Sequence, residues 1–213
     1  MPNAADPTDG VPLDALARRL VESSPFSFRV AAGDDERLAA YRLRGETIVA
    51  RHWAPADTLA DGAERDDFDD RAAHILGWDG GEPVCTGRIV LPPGLPTEEA
   101  WGRIVEPAGR VADVGRMCVA TSRQTLEHAA FIGLMAALYL EVRRLGFSVA
   151  CGMMSAPAQR LVGLFGLQLE VLGPPLLHWN ELRTPVRFSL LHNADAAGHL
   201  ADMPRGSRSA EHE

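Results

Sequence analysis

Three features of the chain predict an α/β fold built on a mixed sheet. Short runs alternate apolar and polar residues, a long segment over 126–146 repeats its apolar residues at helical spacing, and residues 147–154 (FSVACGMM) form a nearly unbroken apolar run. Alternation marks strands with one buried face, and an unbroken run marks a central strand covered on both faces.

Residues 1–10 are polar and proline-bearing and read as a loose leader. Residues 11–21 (VPLDALARRLV) have the apolar spacing of a short amphipathic helix, and 26–31 (FSFRVA) alternate as a strand. Asp34 and Asp35 offer N-caps for a helix to about Ala50, with Leu38, Tyr41, Leu43 and Ile48 on its apolar side. A polar, acidic loop follows over 54–66. Residues 72–77 and 83–91 (PVCTGRIVL) read as two strands joined by the turn Asp79-Gly80-Gly81, and the prolines of 92–96 break the second. Residues 101–107 fit either a short helix or an edge segment.

Residues 111–120 form a strand and 122–124 a turn. The helix over 126–146 carries Phe131, Leu134, Leu138 and Val142 in one stripe, and Gly146 ends it. After the central strand, Ser155 caps a helix with Pro157 in its first turn, reaching 165–166. Residues 167–172 and 186–191 close the sheet around the turn Gly173-Pro174-Pro175. The reading is one domain over 11–192, with 193–213 too poor in large apolar residues to be ordered.

Composition narrows the chemistry. A net charge of −8 disfavours general nucleic-acid binding, which needs a basic face. Every cation is arginine, which removes Schiff-base and lysine-nucleophile mechanisms. Cys85, Cys118 and Cys151 lack CxxC spacing and lie in apolar runs, as buried reduced thiols of a cytoplasmic protein do, and no metal site is expected. No signal peptide is evident, and the apolar run over 129–140 is too short to span a bilayer.

The strand over 111–119 (VADVGRMCV) is the most informative stretch. Regular alternation places Asp113, Gly115 and Met117 on one face and Arg116 on the other. Two ionisable side chains on a half-buried strand cost several kcal/mol unless paired or used. A structural Asp–Arg pair and a functional site are both consistent with this stretch alone.

Further motifs accompany it: Arg44 and Trp53 in LRGETIVARHW, Asp66 and Asp69 in ERDDFDDRAAHIL, Arg88 in GRIVLP, and Asp113 with Arg116 in DVGR. In this order and near these distances, they resemble the GNAT acyltransferase superfamily over about 26–191. Within it, the resemblance is to autoinducer (acyl-homoserine-lactone) synthases and N-acyl amino acid synthases. It implies a mostly antiparallel central sheet flanked by helices, with no cofactor beyond an acyl thioester as co-substrate. Autoinducer synthases usually carry Glu at the position of Asp113, an aromatic at Ile48, and a Tyr near His74, where amino-acid-acylating relatives often have His; Trp53 also comes one residue early. These departures favour N-acylation of an amino acid over lactone formation from S-adenosylmethionine. After the strand, residues 121–131 (TSRQTLEHAAF) lack the glycine-rich pyrophosphate loop of coenzyme-A-binding acetyltransferases, which favours an acyl-carrier-protein donor over acyl-CoA.

Acyl transfer to an amine requires a base, oxyanion donors, an acceptor site and an apolar slot. The candidates, in that order, are Asp113; the backbone amides of Met117 and Cys118; Arg44, Trp53, Asp66, Asp69, Arg88 and Arg116; and Phe131, Leu134, Met153, Met154 and Phe165. His74 reads as a packed, hydrogen-bonded side chain rather than a base. Arg123, Arg143, Arg144 and Arg160 offer basic character to an acidic carrier protein. The rival expectations are autoinducer synthesis and a catalytically idle GNAT-like module that binds an acyl chain.

Overall fold

The strands pair in the order β1-β2-β3-β4-β5-β8-β6, with β7 joined to β8. Their bounds are β1 Ser27–Val30, β2 Ala72–Asp79, β3 Glu82–Val90, β4 Val111–Val119, β5 Val149–Ser155, β6 Glu170–Val171, β7 Leu176–His178 and β8 Glu181–Ser189. The helices are α1 Leu13–Glu22, α2 Gly33–Ala50, α3 Pro96–Trp101, α4 Glu127–Arg144 and α5 Ala156–Leu164. This computed structural model describes residues 13–164 and 168–190. The leader and tail inferred from composition lie outside the described residues, as does Phe165. Every strand pair is antiparallel except β4–β5, giving the expected mixed, mostly antiparallel sheet.

Alternation along the strands sends side chains into two layers. On one face Ile75, Cys85, Ile89, Ala112 and Ala150 meet Ala130, Leu134, Leu138 and Val142 of α4. On the other, Leu76 and Cys118 meet Ala40, Tyr41 and Leu43 of α2. A smaller cluster of Val90, Val111 and Cys151 packs under Leu95 and Val105, around α3.

Several local expectations are corrected. Helix α2 starts at Gly33 with Ala32 as N-cap, so Asp34 and Asp35 do not cap it; the Glu36 carboxylate accepts the Ala32 N–H at 2.7 Å instead. The short helix near 101–107 lies earlier, at α3, where Glu98 accepts the N–H groups of Leu95 and Val105, each at 3.0 Å, and Gly102 ends the helix at φ 74°. Strand β8 begins at Glu181 rather than 186, because Trp179 and Asn180, both at positive φ, form a tight hairpin turn from β7.

The parallel pair β4–β5 positions the site. It holds register only from Val111↔Val149 to Asp113↔Cys151, after which the strands part. At the fork Gly152 passes so close to β4 that a Cβ on it would stand 2.6 Å from the Val114 carbonyl oxygen. On its other side β4 has a bulge: Arg88 faces Gly115 but Thr86 faces Cys118, and Arg116 takes φ 52°. The extra residue resets the alternation, so Met117 packs against the α4 layer, and Arg116 reaches the face that holds Asp113. Regular alternation predicted the reverse for both.

Gly152→Ala is expected to lower stability by about 1–3 kcal/mol through this backbone clash. Urea unfolding checks it; an unchanged midpoint would mean that the fork is looser than its geometry.

Candidate functional site

Arginine 44 sits in the buried stripe of α2, 2% exposed, where an isolated cation would be prohibitive. Its guanidinium donates to both oxygens of Asp69, at 2.8 and 2.7 Å, and its Nε donates to Glu64. Asp69 lies on the turn before β2 and also accepts from Arg88 of β3 at 2.8 Å and from the Asp66 backbone N–H at 2.8 Å. Arg88 donates further to Asp66. Arg116 closes the ring, donating to Glu64 at 3.2 Å and to Asp66 at 2.8 Å. Three arginines and three carboxylates therefore alternate, and the cluster is neutral as a unit.

Burial alone would raise the Asp69 carboxyl, but its hydrogen bonds and charge contacts with Arg44 and Arg88 override that and hold it well below the usual carboxylate range. Burial likewise opposes the charge on Arg44, and Asp69 and Glu64 more than restore it. Arg116 is the partly open member, 17% exposed, with its guanidinium 4.7 Å from the Trp179 ring centre. Burial lowers its proton affinity, which Glu64 partly restores. The acceptor candidates Arg44, Asp69 and Arg88 are thus buried and mutually saturated. Trp53 stands apart from them, at the mouth, under the Arg183 guanidinium at 4.4 Å.

Beside this cluster a cavity of about 430 Å³ passes through the fork between β4 and β5. Its polar end is lined by Arg44, Glu64, Arg116, Trp53, Trp179 and Arg183. Its apolar end runs along α4 past Phe131, Met135 and Leu138, with Met153 and Met154 of β5 as the wall. Leu134 does not line it. At 100° per residue, Leu134 turns from the Phe131–Met135–Leu138 row into the sheet core, where it is fully buried. Met117 and Cys118 line the cavity next to the bulge, where the ladder to β3 is interrupted.

Asp113 lies one layer behind the wall. Its carboxylate accepts the Thr97 N–H at 2.8 Å, at the start of α3, and the Cys151 thiol at 3.6 Å, so it makes no pair with Arg116. Burial raises its carboxyl above the usual range, against the hydrogen bond from the Thr97 N–H. Gly115 lines the cavity in front of it, and a Cβ there would stand 3.7 Å from Asp113 Oδ1. His74 is packed edge-on against Tyr41, but neither ring nitrogen has a hydrogen-bond partner, contrary to expectation; Nε2 lies 3.7 Å from Asp69. Burial pushes the Cys85 thiol up to about 12 and that of Cys118 to about 11, which fits inert core thiols. Among the described residues no cluster of His, Cys, Asp or Glu is arranged to hold a metal ion, and no helix is long and apolar enough to cross a membrane.

Sequence reasoning missed Glu64, Trp179, Arg183 and Met135. Glu64 is chemically indistinguishable from its exposed neighbours in the acidic loop, and Trp179 follows a strand that was not foreseen. Met135 shares the helical row of Phe131 and was the one legible omission.

Neither a protein-family model nor a curated protein sequence matches the chain. Solved structures do. The AHL synthase LasI superposes with a TM-score of 0.64 at 18% identity, over 82% of this chain and 94% of its own. BjaI, a CoA-dependent acyl-homoserine lactone synthase solved with SAM and isopentyl-CoA, gives 0.60 at 22%, over 78% and 82%. FeeM, an N-acyl amino acid synthase from uncultured soil microbes, gives 0.58 at 18%, over 78% and 90%. The shared property is the fold.

Two outcomes follow from the cluster. Asp69→Asn leaves Arg44 and Arg88 underpaired in the interior and is expected to cost about 3–5 kcal/mol, measured by chemical unfolding; a loss below 1 kcal/mol would show that water reaches the cluster. Burial, aided by Arg116 and Arg183, lowers His178 from 6.5 to about 4. The unfolded chain therefore binds more protons in this window, and stability falls as pH drops from about 6.5 toward 4. His178→Gln is expected to flatten that part of the melting-temperature profile, and an unaltered slope would contradict the shift.

Proposed function

We propose that the protein is an N-acyltransferase that moves a fatty acyl chain from a carrier thioester to the amine of an amino acid. The observation that carries this reading is the cavity, which joins an apolar passage to a neutral, alternating arginine–carboxylate cluster at the fork of a GNAT-type sheet. The fold likeness to LasI, BjaI and FeeM supports it.

In this account the acyl chain lies along α4 and the thioester carbonyl rests at the bulge. The amide of Met117, within the bulge, faces the developing oxyanion, such a donor contributing about 3 kcal/mol, whereas Cys118 is back in register with Thr86 of β3. The acceptor enters at the polar end. A zwitterion adds no net charge to a cluster that is already neutral, and the cations that line the cavity and are open to its carboxylate are Arg116, Arg183 and Arg51. Attack is direct: the amine forms the C–N bond as the C–S bond breaks, the thiolate leaves and picks up the proton that the amine has given to Asp113, and no acyl-enzyme forms. Asp113 takes the amine proton through a water at the gap left by Gly115. Its burial brings its proton affinity nearer to that of a working base. The donor is an acyl-carrier protein or acyl-CoA, and a cytoplasmic setting suits either.

The test is thiol release from acyl-carrier-protein and acyl-CoA thioesters given pooled amino acids, with mass spectrometry of the acylated product. Arg116→Gln and Asp113→Asn are each expected to lower turnover at least tenfold while the fold is kept. Full activity in Asp113→Asn would leave this carboxylate as nothing more than the cap of α3, and thiol release with neither donor would refute the transferase reading.

A further inference from the structure

The apolar end of the cavity has a floor, and its construction is specific. Val142 lies beside the base of β5, because its carbonyl accepts the Phe147 N–H at 3.1 Å. Ala150 and Phe188 pair across β5 and β8, and the Leu190 N–H donates to the Ser148 carbonyl at 2.8 Å. All of these except Phe147 and Ser148 line the cavity, and they sit where β4 and β5 are still zipped together. This end is therefore the closed one, and Phe131 lies toward the open one.

Tyr139 stands at this closed end and lines the cavity with its ring. Its hydroxyl donates to Asp14 of α1 and lies 3.2 Å from the Leu190 carbonyl oxygen. Arg143 is 3.8 Å from the same Asp14. Asp14 and Arg143 line a second cavity, of about 460 Å³, between α1, α4 and β1. The phenol thus spans the wall between the two cavities and is anchored on its far side.

We infer that Tyr139 is the specificity-determining residue for acyl length: its pinned ring stops the chain, and removing it joins the passage to the space under α1. The inference rests on the proposed acyl-binding role of the cavity. At roughly 30 Å³ for each water-sized group, the whole cavity of about 430 Å³ holds about fourteen such groups, shared between the chain and the groups at the polar end. Linear saturated chains of about eight to twelve carbons are therefore the class that fits. Anchoring matters because an unpinned aromatic ring on a helix swings between rotamers and would set no sharp limit.

The experiment reads binding apart from turnover. Thermal shifts of the full chain are measured with free saturated fatty acids of 6 to 18 carbons, since a ligand bound only by the folded state raises the melting temperature. The wild-type shift is expected to grow with length and fall off beyond the limit. In Tyr139→Ala, and in Tyr139→Leu should the first variant fold poorly, the limit moves up by about two to four carbons, the space vacated by the ring. Met135→Trp, which narrows the passage nearer its mouth, moves it down. An unchanged limit in folded Tyr139 variants overturns the inference, as does a wild type that no chain length stabilises. A shifted limit without thiol release from any thioester would uphold the floor and refute the transferase reading, so the two fail separately.

Discussion

Three paired residues hold β4 to β5, and the rest of the molecule is arranged around the fact that the pairing then stops. Parallel strands that diverge leave backbone groups without ladder partners, and a sheet tolerates this only where something else fills the gap. Here the fork is set by close contact at Gly152, by the bulge at Arg116 and by the methionines that follow on β5. Continued pairing past Asp113 and Cys151 would place β5 side by side with the second half of β4 and abolish the cavity. The parting also lets one space touch both layers of the fold, polar on the α2 side and apolar on the α4 side.

The arginine–carboxylate cluster is the complementary constraint. Its members come from α2, the acidic loop, the turn before β2, and strands β3 and β4, so it ties together five parts of the chain. Buried ion pairs seldom add net stability over well-packed apolar side chains, yet breaking one is costly. Such a cluster therefore acts on specificity of structure: it fixes the otherwise irregular loop and aims Arg116 at the cavity. Its buried core is scaffold and its accessible edge is surface for chemistry. That division separates Asp69 and Arg88, which do not line the cavity, from Arg116, which does, although all belong to one charged set in sequence.

Much of the fold was legible because periodicity records burial. The hairpin around Gly80-Gly81, the long helix α4 and the central strand β5 each carry a clear period or turn signal. The bulge was not legible, since Arg116 at positive φ has no chemical signature and one inserted residue exchanges the two faces of everything after it. The same blindness placed Asp113 and Arg116 on opposite sides of the strand. Strand β7 escaped because its three residues are fewer than a period needs, and with it went Trp179. The charged residues of the site were recognisable as a set through their order and spacing. Which of them are sealed and which face the cavity is decided by long-range packing, as the contrast between Asp113 behind the wall and Glu64 on it shows.

What occupies the fork decides whether the cavity is an acyl site. Photolabelling with a twelve-carbon fatty acid bearing a terminal diazirine, followed by peptide mapping, reports that directly. The prediction is covalent label on Leu138, Tyr139 or Val142 of α4 and on the facing segments of β5 and β8, around Ala150 and Phe188. Label confined to the other side of α4, at Arg18, Phe28 or Leu140, would contradict it.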